Sequence, residues 1–253
     1  MEPSEFAVQV RDLVYRVGGR TILDGLTFNV GRNSCLGVMG MSGTGKSTLL
    51  KNIMGLLRPT SGDVLINGQS IVGLSEQEMA PIRRKMGMCF QYAALFDSMT
   101  VAENVAFGLR RHQRLPEDEI RRRVSESLGR VGMEGTEALY PAELSGGMRK
   151  RVGIARALIL EPELMLYDEP SAGLDPITAA RLDGLIASLD RERGMTSIIV
   201  THEVEELFAL CDMVMMIHEG KIVALDTPQA LRETSDPLVR QFVEGRADGP
   251  ITV

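Results

Sequence analysis

The sequence predicts an α/β fold: a mainly parallel sheet, a small antiparallel β subdomain at the N-terminus and a helical insertion in mid-chain. Three observations carry this. First, "FAVQVRDLVYRV" and "TILDGLTFNV" alternate apolar with polar residues on either side of Gly18 and Gly19, as the two strands of a hairpin do. Second, from "SCLGVMG" onward, short apolar runs are followed by helical patterns, the alternation of a parallel sheet. Third, residues 92 to 158 change to helical character.

In order, "SCLGVMG" reads as a buried strand. "GKSTLLKNIMGLL" reads as a helix with Leu49, Leu50, Ile53, Met54 and Leu57 on one side, stopped before Pro59. "DVLING" is a strand with a tight turn, and "KMGMCFQ" a short strand ending at Gln91. "PEDEIRRRVSESLGRV" opens with Pro116 and acids and puts Ile120, Val124, Leu128 and Val131 on one face. Its Arg121 to Arg123 run reads as a solvated helix face, with a partner patch as the alternative. "LMLYDEP", "MTSIIVTH" and "MVMMIHEG" are three more strands, separated by a helix starting near Pro176 and another over "EVEELFAL". In the tail, "TPQALRET" and "DPLVRQFVEG" are short helices and "RADGPITV" an extended end.

A chain of 253 residues with 44% hydrophobic residues fits one globular domain with subdomains. The net charge of −6 argues against a nucleic-acid surface, which needs an excess of Lys and Arg. Cys35, Cys89 and Cys211 lack metal-ligand spacing, so core packing in a reducing compartment suits them. "MEPSEF" is acidic where a signal peptide is basic, and no apolar run reaches the length of a membrane span. The expectation is a chain neither exported nor membrane-spanning.

"GMSGTGKS", Gly40 to Ser47, matches the phosphate-loop pattern, with a strand before it and a helix after it. A Gly-rich turn with a stray Lys is the bland alternative, and that context disfavours it. The stretch Gly40, Ser42, Gly43, Thr44, Gly45, Lys46, Ser47 and Thr48 is the expected nucleotide-phosphate site. Backbone N–H groups wrap the phosphates, Lys46 reaches the outer ones and the Ser47 hydroxyl binds Mg²⁺. Asp168, closing an apolar strand, suits the Mg²⁺ shell, and Glu169 beside it suits polarising a water for attack on a γ-phosphate.

His202 directly follows a strand, at the carboxyl edge where open α/β sheets bind ligands, although a lone His is more often a capped or surface residue. Gln91 also ends a strand, and its amide can bind a water or the metal. Tyr15 can stack on an adenine or pack on the small sheet. A second anion-binding stretch, "LSGGMRKR", lies a hundred residues beyond the first. Ser145, Gly146 and Gly147 there offer a hydroxyl and unhindered amides at a helix N-terminus.

The ordered series Tyr15, "GMSGTGKS", Gln91, "LSGGM", "LMLYDEP", "SAGLD" and His202 closely resembles the nucleotide-binding subunit of ABC transporters, over residues 6 to 225. The resemblance implies a P-loop NTPase with a RecA-like core at about 1–91 and 159–225, a helical subdomain at about 92–158 and a C-terminal extension at about 226–253. It implies an ATPase with ATP and Mg²⁺ as cofactors, and with Lys46, Gln91, Glu169 and His202 in the catalytic site. Ser47, Gln91 and Asp168 would serve the metal. Ser145, Gly146 and Gly147 would face the ATP held by a second copy in a head-to-tail dimer, which accounts for the second stretch. Gln91 and the helical insertion would couple dimer motion to a membrane permease, and "SAGLD" would signal across the dimer. The "YAALF" after Gln91 lies where family members meet the permease, and its bland reading is core.

Met148 departs from the commoner pattern, where Gln follows Ser-Gly-Gly, so contacts from that position are open. "LSGGMRKRVGIARAL", "FQYAALFDSMTVAENVAF" and "VRQFVEGRADGP" resemble the ATPases of Mla-type and related MCE-associated lipid transporters. That implies a phospholipid or other hydrophobic substrate. It also implies a periplasmic MCE-domain protein, a small STAS-domain protein and a place on the cytoplasmic face of a bacterial inner membrane. The alternatives are an ABC ATPase for another substrate and, in a different class, a soluble ABC ATPase of repair or translation, whose coiled-coil insertion or doubled domain this chain lacks. Leu238, Val239 and Phe242 form an apolar face in the tail that can pack on its own domain or on the neighbouring subunit, and docking on the neighbour is the expectation.

Overall fold

The computed structural model describes residues 5–251. In chain order its strands and helices are β1 (Phe6–Val17), β2 (Arg20–Gly31), β3 (Cys35–Met39), α1 (Lys46–Ile53), β4 (Ser61–Ile66), β5 (Gln69–Ser70), α2 (Glu76–Arg83), β6 (Met86–Cys89), α3 (Val101–His112) and α4 (Glu117–Arg130). Then come α5 (Gly146–Leu158), β7 (Leu164–Asp168), α6 (Pro176–Arg193), β8 (Thr196–Val200), α7 (Val204–Leu210), β9 (Met213–His218), β10 (Lys221–Asp226), α8 (Pro228–Glu233) and α9 (Pro237–Val243). No helix among the described residues is long and apolar enough to cross a membrane. The chain forms two compact units, residues 1–82 with 194–253, and residues 83–193.

In the first unit, β1 and β2 form the expected hairpin within a four-stranded antiparallel sheet of order β2-β1-β4-β5. Alternation buries Val8, Val10 and Leu13 of β1 against Leu26, Phe28 and Val30 of β2. A bulge at Asp12, with φ +46, re-aims the strand, and the Asp12 amide donates to Thr27 Oγ1 at 2.9 Å. Elsewhere in the unit β3 runs parallel to both β8 and β9, while β10 pairs antiparallel with β9. β8 is buried throughout and β3 from Leu36 onward, as expected of parallel strands covered on both faces.

One expectation needs correction here. α1 ends at Ile53, with Met54 as C-cap and Gly55 at φ +67, so Leu57 lies beyond the helix. In the tail, Val239 and Gln241 of α9 are buried within the chain, Leu238 and Phe242 are half-buried, and the Gln241 carboxamide pairs with the Ile251 main chain, accepting at 2.7 Å and donating at 3.0 Å. The apolar cluster chosen from sequence includes only one of those two buried α9 residues.

In the second unit β6 and β7 are parallel, and helices α3, α4 and α5 pack on one another. Thr100 and Glu103 form a capping box that starts α3, with bonds of 3.2 and 2.8 Å. α4 buries Ile120, Val124 and Leu128 as its period requires, and Val131 just beyond it is buried too. Its arginines pair along the exposed face, Arg121 with Asp118, Arg122 with Glu119 and Glu126, Arg123 with Glu119, so the solvated-face reading holds. β6 ends at Cys89, two residues before the sequence reading placed the end, and Gln91 sits in the turn that follows.

Candidate functional site

The first unit holds the phosphate loop. β3 delivers the chain to Gly40, and α1 begins at Lys46 behind an N-cap, Gly45, at φ +99. Only glycine suits that position. The left-handed φ is costly for a side chain, and a methyl there would lie 2.7 Å from Leu23 Cδ2. Thr44 ties the loop by donating from Oγ1 to the Met41 carbonyl at 2.9 Å. Lys46, only 6% exposed, donates from Nζ to the Gly40 carbonyl at 2.7 Å and the Met41 carbonyl at 3.0 Å. The ammonium thus lies across the mouth of the loop. Ser42 and Gly43 are exposed, and Ser47 and Thr48 half-buried.

Tyr15 comes to the same place through register. Its antiparallel partner on β2 is Leu23, the residue against Gly45, so the half-buried ring belongs to the strand flanking the loop. His202 follows β8 with its side chain half exposed, its Nε2 3.5 Å from Glu203 Oε1. Thr201 fixes this corner: its amide donates to the Val38 carbonyl at 3.3 Å, and its Oγ1 accepts from the Glu203 amide at 3.1 Å.

The second unit holds the acids and the second glycine-rich stretch. Asp168 closes β7 and is 7% exposed. Glu169 has φ +50, a left-handed conformation that costs a non-glycine residue about 1–3 kcal/mol. The neighbours hold it there: its carbonyl accepts from Lys150 Nζ at 3.1 Å and from the Ala172 amide at 3.3 Å. The strain sits on the carboxylate whose aim the sequence reading made chemical.

Ser145 is the N-cap of α5, and its Oγ accepts from the Met148 amide at 3.3 Å. Gly147 is buried where α5 meets α6, and a methyl there would lie 2.8 Å from Thr178 Cγ2. Asp175, the last residue of "SAGLD", accepts from the Ile177 and Thr178 amides at 3.1 Å each. Hydrogen bonds from Thr178, side chain first and then main chain, hold its carboxylate below the ordinary range.

Gln91 is exposed, and the segment after it is tied down by residues that sequence reasoning missed. Ala93 and Ala94 both take positive φ, and Arg156 donates to their carbonyls at 2.9 and 2.7 Å. The fully buried Asn104 accepts from the Phe96 amide at 2.8 Å and donates to the carbonyls of Phe96, Met99 and Thr100 at 3.0 to 3.1 Å. The result leaves Tyr92 86% exposed, with Phe96 and Phe107 also exposed and their ring centroids 4.9 Å apart at a 45° tilt. Of "YAALF", only Ala93 is buried, so the core reading fails for the aromatic positions. Lys150, Arg156 and Asn104 act on main-chain oxygens, which leave no mark in the sequence.

The two units therefore bring together Tyr15, the phosphate loop and His202 in one, and Gln91, Ser145, Gly146, Gly147, Asp168 and Glu169 in the other. The chain matches the family model described as "ABC transporter" over residues 23–172. It is 42% identical to the intermembrane phospholipid transport system ATP-binding protein MlaF of Haemophilus influenzae, over 96% of this chain and 92% of that protein. It is 41% identical to the probable ribonucleotide transport ATP-binding protein mkl of Mycobacterium leprae, over 98% of this chain and 72% of that one. Among solved structures it resembles the dimeric post-hydrolysis state of the ATP-binding cassette MJ0796 bound to ADP and Pi. The TM-score is 0.81 at 30% identity, over 87% of this chain and 98% of that one.

Proposed function

We propose that this chain, which belongs to the ABC transporter family, is the ATP-hydrolysing subunit of a transporter that moves phospholipid between the inner and outer membranes. The observation that carries the lipid reading is the 42% identity to MlaF over nearly the full length of both chains. The chain divides on this reading into a core at about 1–91 and 159–225, a helical subdomain at about 92–158 and a C-terminal extension at about 226–253.

The residues fit ATP. Gly40, Ser42, Gly43, Thr44 and Gly45 lead their amides into the start of α1, and a buried ammonium, Lys46, lies at the loop mouth. Thr48 and Tyr15 complete the nucleotide contacts, the latter with its ring. For Mg²⁺, the Ser47 hydroxyl, the Gln91 amide and the Asp168 carboxylate are each the hard oxygen donors this ion takes, one or two carboxylates together with substrate phosphates rather than a protein cage. Bound there, Mg²⁺ neutralises charge on the phosphates.

Glu169 orients a water and takes up its proton, and its locked backbone aims the carboxylate. His202 holds the γ-phosphate side from the carboxyl end of β8, its side chain half exposed. Ser145, Gly146 and Gly147 complete the site of a second copy in a head-to-tail dimer. A ligand touching both copies only when they are closed favours closure by that difference in affinity, and hydrolysis removes it.

Tyr92, Phe96 and Phe107 are the surface offered to an integral permease, through which the subunit sits on the cytoplasmic face of the inner membrane. An MCE-domain lipid-binding protein and a small STAS-domain protein complete the assembly. A permease for a different substrate is the second reading, favoured by the 41% identity to a protein named for ribonucleotide transport.

The test is purification of tagged Glu169→Gln protein from native membranes with mild detergent and ATP, identifying partners and lipids by mass spectrometry. A permease with an MCE-domain protein and phospholipid is expected. A permease with a solute-binding protein would overturn the lipid assignment and leave the ATPase standing, and soluble partners alone would overturn transport.

A further inference from the structure

Cys35 and Cys211 are far apart in sequence, and neither takes part in the chemistry above, yet their sulfurs lie 3.4 Å apart. Asp212 holds them there. Its Oδ2 accepts from the Cys35 amide at 2.8 Å, and its own amide donates to the Cys35 carbonyl at 2.9 Å, continuing the parallel register of β3 with β9. Gly37 leaves room for the pair, since a methyl there would lie 3.1 Å from Cys211 Sγ. Cys211 is buried and Cys35 only partly so, which makes Cys35 the more accessible residue of the pair.

We propose that Cys35 and Cys211 are a redox site, joined in a reversible disulfide when the protein meets a hydroperoxide. In the first step Cys35 attacks the peroxide. The O–O bond breaks, sulfur is oxidised to the sulfenic acid, and the other oxygen leaves as water, or as the alcohol of an organic peroxide. In the second step Cys211 sulfur attacks the Cys35 sulfur and displaces its hydroxyl. That hydroxyl leaves as water with the Cys211 proton, and the peroxide has been reduced by two electrons in all.

The order follows from burial. The hydrogen bond shared with Cys35 and the loss of water hold the Cys211 thiol well above its ordinary range, so the more accessible partner, Cys35, reacts first. Cys89, buried and pushed up to about 12, stays out of the reaction. Because Asp212 already clasps the two positions, closure needs little backbone movement, and it protects Cys35 from passing on to the irreversible sulfinic acid. A thiol reductant restores the pair.

The experiment treats the full-length protein with hydrogen peroxide and maps its cysteines by peptide mass spectrometry, with and without dithiothreitol. The expected result is a peptide pair joined through Cys35 and Cys211, lost on reduction, with Cys89 unmodified. Cys211→Ser is expected to give a Cys35 sulfenic acid trappable by a cyclic 1,3-dione, then a sulfinic acid that dithiothreitol does not reverse. Wild-type protein that keeps both thiols free, or carries sulfinic acid at Cys35 beside a free Cys211, would overturn the proposal.

Discussion

Two helices of this chain begin at glycine-rich stretches, and they begin by different means. α1 starts behind a left-handed glycine, with no side-chain cap, and its first residue is a lysine folded back over the loop carbonyls. α5 starts behind an ordinary serine cap, and the nearest cations are spoken for: Arg149 donates to the Leu144 carbonyl at 2.8 Å and Lys150 to the Glu169 carbonyl at 3.1 Å. On the proposed reading the first is a phosphate site with its own charge. The second offers a hydroxyl, amides and a helix dipole, and would need a cation from elsewhere to hold a highly charged phosphate. The proposed sharing of one nucleotide between two copies would supply it.

The strongest way to separate the two regions is to remove the acid of the second without touching the loop of the first. Glu169→Gln keeps size and the strained backbone while losing the proton acceptor. Turnover should fall roughly 10²–10⁴-fold with ATP binding retained. Equal loss of binding and turnover, measured by nucleotide titration beside phosphate release, would mean that the carboxylate supports the fold of the site.

The next test asks whether the two starts serve one nucleotide. Mixing Ser145→Arg subunits with Lys46→Ala subunits leaves, in each mixed dimer, one site with an intact Lys46 and an intact Ser145. ATPase activity should reappear on mixing although neither variant alone is active. If the mixture shows only the sum of the two preparations, the starts work independently.

How much of this was legible in the sequence depends on which partner each residue uses. The phosphate loop could be read because its strand, glycines, Lys46 and helix are contiguous. Asp168 and Glu169 followed from a strand end, although the left-handed backbone of Glu169 did not, since Pro170 gives no hint of it. α2 escaped notice because it is short and carries Pro81, a helix-breaking signal, inside it. Asn104, Lys150 and Arg156 escaped because each bonds to main-chain carbonyls, and every residue has one. In the tail, the Gln241 contact escaped for a related reason: its carboxamide pairs with the Ile251 main chain.

A smaller effect distinguishes the two glycines. Gly147→Ala should cost about 1–3 kcal/mol, because the new methyl meets Thr178 Cγ2. Thr178→Ser, which deletes that methyl, should return most of it in a double-mutant cycle read by thermal unfolding. Gly45→Ala has no such rescue, since its φ of +99 penalises any side chain whatever stands nearby. Rescue at Gly45 by a smaller residue at position 23, or none at Gly147, would reverse the assignment of crowding to one start and backbone strain to the other.

The smallest effect lies on the exposed face of the second unit, away from both starts. Hydrogen bonds from Arg122 and then Arg123 push the Glu119 carboxyl down to about 2 from 4.5. A depressed carboxylate stabilises the folded state above its unfolded pKa and stops doing so as pH falls through the folded value. Glu119→Gln should therefore be slightly less stable than wild type above pH 4.5, with the gap closing between pH 4.5 and about 2. Because these side chains lie in water, added salt should shrink the gap at every pH. A gap constant across that window would trace the difference to the change of side chain itself rather than to the carboxylate charge and its arginine pairs.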